Sequence, residues 1–341
     1  MKFTSVCCLA LVVLGSVACA DHHEEGFLSL FDGTTLNHWD GKAEFWSVKD
    51  GAITGQTTQD NPTKGNTFLI WRGGTVDDFE LRLKFKIVGG NSGIQYRSKD
   101  LGNHVVGGYQ GDFEAGDTFS GILYEEKGRG VLAQRGQLTH ITAEGGRHKV
   151  NVVASLGDTN EINKVIKKED WNDYQIIAHG NHLMHIINGR VTVQVVDADK
   201  RKTMRSGIQT VAGSGILALQ LHAGPPMMVQ FKDIRIKPMK GINASGDWDI
   251  EVDINGNTGT PKFSLTSEGG KVTGGYDGLF GLAEIEGTQK GNEVEWSFDC
   301  SYNGNDFVCV YRGTVVDYGT MKGTMSINEG AVQGTWIATK N

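Results

Sequence analysis

The chain has 341 residues, enough for two domains, with 48 glycines, only 5 prolines and 38% hydrophobic residues. The glycines follow no G-X-Y period, so collagen is excluded, and their spread between short alternating runs predicts many tight turns joining many strands. A net charge of −7 gives no electrostatic basis for binding nucleic acid or an anionic membrane.

Residues 1–20 read as an export signal: Lys2 is followed by the apolar run Val6–Ala18, too short to span a bilayer comfortably. Ala18-Cys19-Ala20 fits simple cleavage, leaving Asp21 as the new N-terminus. The alternative makes Cys19 a lipid-bearing residue and the only reason to expect a membrane, although Ser16 stands where a leucine is usual. The expected location is periplasmic or extracellular, with residues 21–25, "DHHEE", a solvated linker.

Helical patterns are nearly absent. "FELRLKFKI" (Phe79–Ile87) alternates apolar and charged residues, and Tyr174–Asp197 reads as strands joined by a type I′ turn at Asn188-Gly189. The three histidines of "HGNHLMH" invite a metal reading, but strand alternation turns His182 away from His179 and His185. "LALQLH" (Leu217–His222) puts leucines on one face and Gln220 and His222 on the other. With "VQFKDIRIK" (Val229–Lys237), these runs describe an antiparallel sandwich over residues 26–239. Residues 240–246 form a small, polar linker, and residues 247–341 carry repeated short Gly-rich strands. This second region resembles a small antiparallel barrel, whose tryptophan-bearing ends near Trp248 and Trp336 would meet and close the sheet. Within it, "CSYNGNDFVC" reads as a hairpin turning at Gly304-Asn305, which would set Cys300 opposite Cys309 in a disulfide.

Three stretches raise the question of a site. Gln95 and Arg97 share a face in "NSGIQYR"; Gln110, Asp112 and Glu114 do so in "YQGDFE"; Gln220 and His222 form the third set. Water-facing strands also show polar residues at i and i+2. These sets, however, combine amides, imidazole, carboxylate and guanidinium with little lysine, which suggests a concave ligand-facing surface. The glycine-rich stretch Gly116–Gly136 adds Tyr124, Glu125, Glu126, Arg129 and Arg135. Glu125 and Glu126, being neighbours, point to opposite strand faces and cannot form the carboxylate pair of an ordinary glycosidase.

The ordered segments "LFDGTTLNHW", "FWSVKDGAITG", "DFELRLKFKI", "NSGIQYR", "GGYQGDFEAG", "SGILYEE", "WNDYQI", "HIINGR" and "ALQLHAGPPMMVQFKDIRIK" resemble the 3-keto-disaccharide hydrolase family, also known as DUF1080, over residues 27–237. The resemblance implies an all-β fold, a concanavalin A-like jelly-roll sandwich, and cleavage of sugars oxidised to a ketone at C3. Such a ketone acidifies the C2 hydrogen, so a base, enolate donors and an acid for the leaving group are required. It implies His222 or Asp112 as base, Arg97 and Arg129 as enolate donors, and Tyr124 or Glu125 assisting departure. Gln95, Gln110, Gln220 and Asn188 would bind sugar hydroxyls. No cofactor is expected, and a divalent metal stays open. Tyr109-Gln110-Gly111-Asp112 departs from the Tyr-Glu-then-amide pattern of many relatives, marking a variant group. A non-catalytic, lectin-like cell-surface protein is the competing expectation.

Overall fold

The structure is a computed structural model and describes residues 26–200 and 213–341; the export signal with Cys19 and the Asp21–Glu25 linker lie outside the described residues. It is all-β: two facing sheets of ten and seven strands, followed by a third sheet. The strand Phe79–Val88 runs through the larger sheet between Asn172–His179 and Met228–Pro238, its odd-numbered apolar residues buried and its even-numbered charges half-exposed, as the alternation requires. Phe85 and Phe113 meet between the sheets with ring centroids 4.0 Å apart, joined by Tyr174 and Phe231. Leu217, Leu219 and Leu221 face this core. Each such side chain contributes about 1.5–3 kcal/mol by leaving water.

The Asn188-Gly189 turn forms as expected: Ile187 pairs with Arg190, and φ is +48° and +76° at the two turn residues. Its geometry consumes the Asn188 amide, which accepts from the Asp173 backbone N–H and donates to the Val165 carbonyl and to Asn172. Asn188 is therefore a turn residue on the larger sheet and lies apart from Gln95, Gln110 and Gln220. The histidines are also arranged differently from expectation. His179 and His182 face each other across a turn and are exposed, whereas His185 is the one turned inward. It is fully buried against the hydroxyls of Tyr96 and Tyr174, and burial lowers its pKa to about 3.

The third sheet closes into an eight-stranded antiparallel barrel, because Gly246–Ile254 pairs with Val332–Lys340. Trp248, Trp296 and Trp336 fill its interior, with Trp296 stacked on Tyr311 at 5.7 Å. Strands pass so closely that a Cβ at Gly323 would collide with the Arg312 carbonyl oxygen. In the hairpin that carries both cysteines, the turn falls at Asn303-Gly304, one residue earlier than expected. Cys300 then pairs with Phe307 and Cys309 with Phe298, so the cysteines are diagonal neighbours. They are separate thiols with sulfurs 3.5 Å apart, not the expected disulfide.

The barrel does not dangle from the sandwich. Tyr318 meets Trp71 edge-on at 4.8 Å, and Ile242 and Ala244 are buried in the barrel core.

Candidate functional site

The outward face of the seven-stranded sheet carries the site. Its order runs from Gly130–Ala133 through Leu123–Glu126, Val106–Glu114, Asn91–Asp100, Ile216–Leu221 and Thr67–Trp71 to Trp39–Asp40. Directly paired residues share a face. Tyr124 pairs with Gln110, Gln110 with Gln95, and Gln95 with Ala218. Along the next row Asp112 pairs with Gly93, and the Leu219–Ile94 register sets Gln220 on Gly93's other side. Gln95, Gln110, Asp112 and Gln220, from the three stretches singled out in the sequence, therefore share one face, and Tyr124 from the glycine-rich stretch joins them.

The amides form a directed chain. Ser98 donates to Gln95 Oε1 at 2.8 Å, Gln95 Nε2 to Gln110 Oε1 at 2.6 Å, and Gln110 Nε2 to Gln220 Oε1 at 3.4 Å. Gln110 crosses directly over Gly93, where a Cβ would lie 2.5 Å from its side-chain carbons. Only glycine permits that crossing. All three glutamines are at most 2% exposed. Burying an amide without partners costs about 1–3 kcal/mol, so such a row is retained where its hydrogen bonds are specified. Two atoms of the row have no hydrogen-bond partner among the described residues: Gln220 Nε2 and Asp112 Oδ1.

Arg97 does not belong to this face. A register shift between Tyr96 and Lys99, with φ of +46° at Arg97, breaks the alternation and swings its side chain out of the row. Its guanidinium instead bonds Asp78 at 2.7 Å and the carbonyls of Asp77 and Gly180. Ser98 takes its place beside Gln95. The same bulge carries the hairpin tip over the sheet, so that the His104 carbonyl accepts from the Phe68 N–H and Val106 packs on Phe68, Ile70 and Ala218. The outward face thus has a dry end and an amide end.

Glu125 and Arg129 are likewise placed elsewhere. Glu125 pairs with Tyr109, whose ring lies in the inter-sheet core, and shares that inward side. Arg129 binds Glu125 at 2.8 Å and Asp197 at 2.6 Å, and the Tyr109 hydroxyl donates to Asp197. This closed ion cluster removes both residues from the expected chemistry on the outward face. Their neighbour Glu126 takes the outward side with Tyr124, a position that strand alternation alone could have assigned.

Asp112 is 6% exposed, and burial pushes its carboxyl up to about 8 against the opposing contacts of Asn91 and Gln110. His222 follows the last residue of the Gln220 strand. Its Nδ1 lies 2.5 Å from the Ala223 carbonyl, and the adjacent Ala223 N–H is held by Asn66. A carbonyl oxygen only accepts, so Nδ1 carries a proton, and Nε2 is the ring nitrogen left to accept one. The described residues contain no group of three or more His, Cys, Asp or Glu side chains able to hold a metal ion, and no chemical step is assigned to one.

Residues 26–237 match the family described as the 3-keto-alpha-glucoside-1,2-lyase-like domain. The chain belongs to this family. The match of this lyase-like domain takes in both facing sheets and every residue of the amide row. No curated protein matches the sequence. Among solved structures, a candidate glycosyl hydrolase from Parabacteroides distasonis aligns at 18% identity and TM-score 0.40, over 62% of this chain and 99% of that one. A second from the same organism aligns at 16% and 0.41, over 63% and 94%. A carbohydrate-binding module of Bacillus subtilis aligns at 14% and 0.36, over 59% and 95%.

Proposed function

We propose that this lyase-like domain cleaves glycosides bearing a ketone at C3, in an exported protein. The family match across residues 26–237 carries the reading. The geometry adds an acceptor nitrogen on His222, a buried carboxyl at Asp112 and the amide row in register with it. His222 Nε2 takes the C2 hydrogen as a proton. The C–H electron pair moves into a C2=C3 double bond as the C3 carbonyl becomes an enolate oxygen. The enolate then re-forms the ketone, and its C2 electron pair makes a C1=C2 double bond as the C1–O bond breaks. Near neutral pH Asp112 rests mainly as the uncharged acid, so it supplies the proton that the departing oxygen takes. Hydration runs the steps in reverse: Asp112 removes a proton from water, hydroxide joins C1, and the protonated His222 returns its proton to C2. Gln95, Gln110 and Tyr124 bind ring hydroxyls.

Incubating the purified protein with a 3-keto-glucoside and with its unoxidised parent tests this. Release of the aglycone from the ketone alone is expected. Equal cleavage of both sugars would reject the elimination route. The amide row also suits a sugar-binding protein, and binding of both sugars without cleavage would select that reading.

A further inference from the structure

The expected enolate donors, Arg97 and Arg129, are built into ion pairs inside the protein. Charge developing on the substrate therefore has to be met by another group. We propose that Gln220 is that catalytic residue: its side-chain N–H donates to the C3 oxygen as negative charge builds there. This assignment rests on the lyase reading above and adds the group that stabilises its intermediate.

Three observations support it. The amide chain has a direction, Ser98 to Gln95 to Gln110 to Gln220, and each link uses the acceptor of the next residue. Gln220 Oε1 is thereby occupied, which leaves Nε2 as the terminal donor. Hydrogen bonds in series polarise one another, so the last N–H of such a chain is a stronger donor than an isolated amide. Second, that donor is buried, with Gln220 at 0% exposure, and lacks a partner among the described residues. Buried donors almost always have an acceptor, so an open one leaves a place for an oxygen of a ligand or a water. Third, Asp112 Oδ1 is the other open atom of the row, two strands away across Gly93. Two strand spacings amount to about 10 Å at the backbone. The Gln110 side chain fills the floor between them over Gly93, so a sugar would lie across the row with Gln220 toward one end and Asp112 toward the other. A neutral amide also suits the chemistry. It binds the ground-state ketone weakly and the enolate strongly, which is the difference that speeds a reaction.

The test uses the full chain and two variants, Gln220→Met and Gln110→Met, with a 3-keto-glucoside as probe. Aglycone release and exchange of the C2 hydrogen in deuterated water are both followed. Gln220→Met is expected to lower kcat about 100-fold, the loss typical of one oxyanion donor, with KM changed less than about threefold. C2 exchange should slow in parallel. Gln110→Met, which breaks the relay and also removes a ring-hydroxyl contact, should raise KM and lower kcat less than about tenfold. If Gln220→Met loses its native melting transition, Gln220→Asn replaces it: the amide is kept but drawn back by one methylene, and the same split of kcat from KM is expected. A Gln220 variant with wild-type kcat, or with a loss confined to KM and unaltered C2 exchange, overturns the assignment and leaves the lyase reading standing. A wild-type protein that neither exchanges nor cleaves overturns both.

Discussion

On the inward side of the seven-stranded sheet, Arg129 is held between Glu125 and Asp197, and Tyr109 donates to the same aspartate. On the outward side of the same strands, Gln220 and Asp112 each have a buried polar atom without a partner among the described residues. One guanidinium thus gathers two carboxylates where the sheets pack together, while neutral hydrogen-bonding groups line the outward side. An ion pair inside a fold is matched by its own partner and has little left to offer a substrate. An amide chain ends in a donor and an acceptor by construction, so one end can be left available without stranding a charge.

The comparison breaks first at Arg129. Replacing it with methionine leaves Glu125 and Asp197 facing each other uncompensated, and a loss of about 3–5 kcal/mol in chemical denaturation is expected. A loss below about 1 kcal/mol would show that the inward cluster is not a structural lock. His222→Ala sharpens the other side. It should lower turnover of a 3-keto-glucoside by about 100-fold or more while shifting stability by less than about 1 kcal/mol; unchanged turnover would remove His222 from the reaction.

Asp112 gives a pH signature with a definite sign. Its folded pKa of about 8 lies above the ordinary value of 3.8, so between those limits the folded state holds a proton that the unfolded state has lost. This group therefore makes stability fall as pH rises through the window. Asp112→Asn should melt higher than the wild type at pH 9 and alike at pH 4; equal melting at both would contradict a buried neutral carboxyl. The smallest effect is expected in the barrel. Burial raises both thiols, most strongly Cys309, so a thiol reagent should label neither quickly in the native protein. Reductant should leave the melting temperature unchanged, and a shift would indicate a bond between them.

Regular elements were legible where one physical signal dominated. The alternation of Phe79–Ile87, the Asn-Gly turn at 188 and the leucine face of residues 217–221 each follow from a period or a single backbone preference. The shared face of Gln95, Gln110, Asp112 and Gln220 was legible for the same reason. Arg97 was not, because a bulge adds a residue to one strand without changing the local pattern, and only the tertiary pull of Asp78 reveals it. Asn188 forms the expected turn, and the turn geometry itself uses the amide expected to bind a sugar hydroxyl. The cysteine hairpin slipped by one residue because Asn-Gly and Gly-Asn both make plausible two-residue turns. Glu125 ends up inward through its strand pairing with Tyr109, and the sequence does not reveal that Asp197, 68 positions from Arg129, joins Arg129 there.

The barrel's first and last strands are bonded to each other, from Trp248 opposite Lys340 to Asp253 opposite Thr335. A closed ring has no outermost layer to shed, so digestion by a carboxypeptidase cannot shorten it gradually. Removing Val332–Lys340 would uncover the edges of two neighbours at once and take Trp336 out of the interior. Trimming from that end should consequently proceed in one abrupt step, with survivors that are either whole or lost.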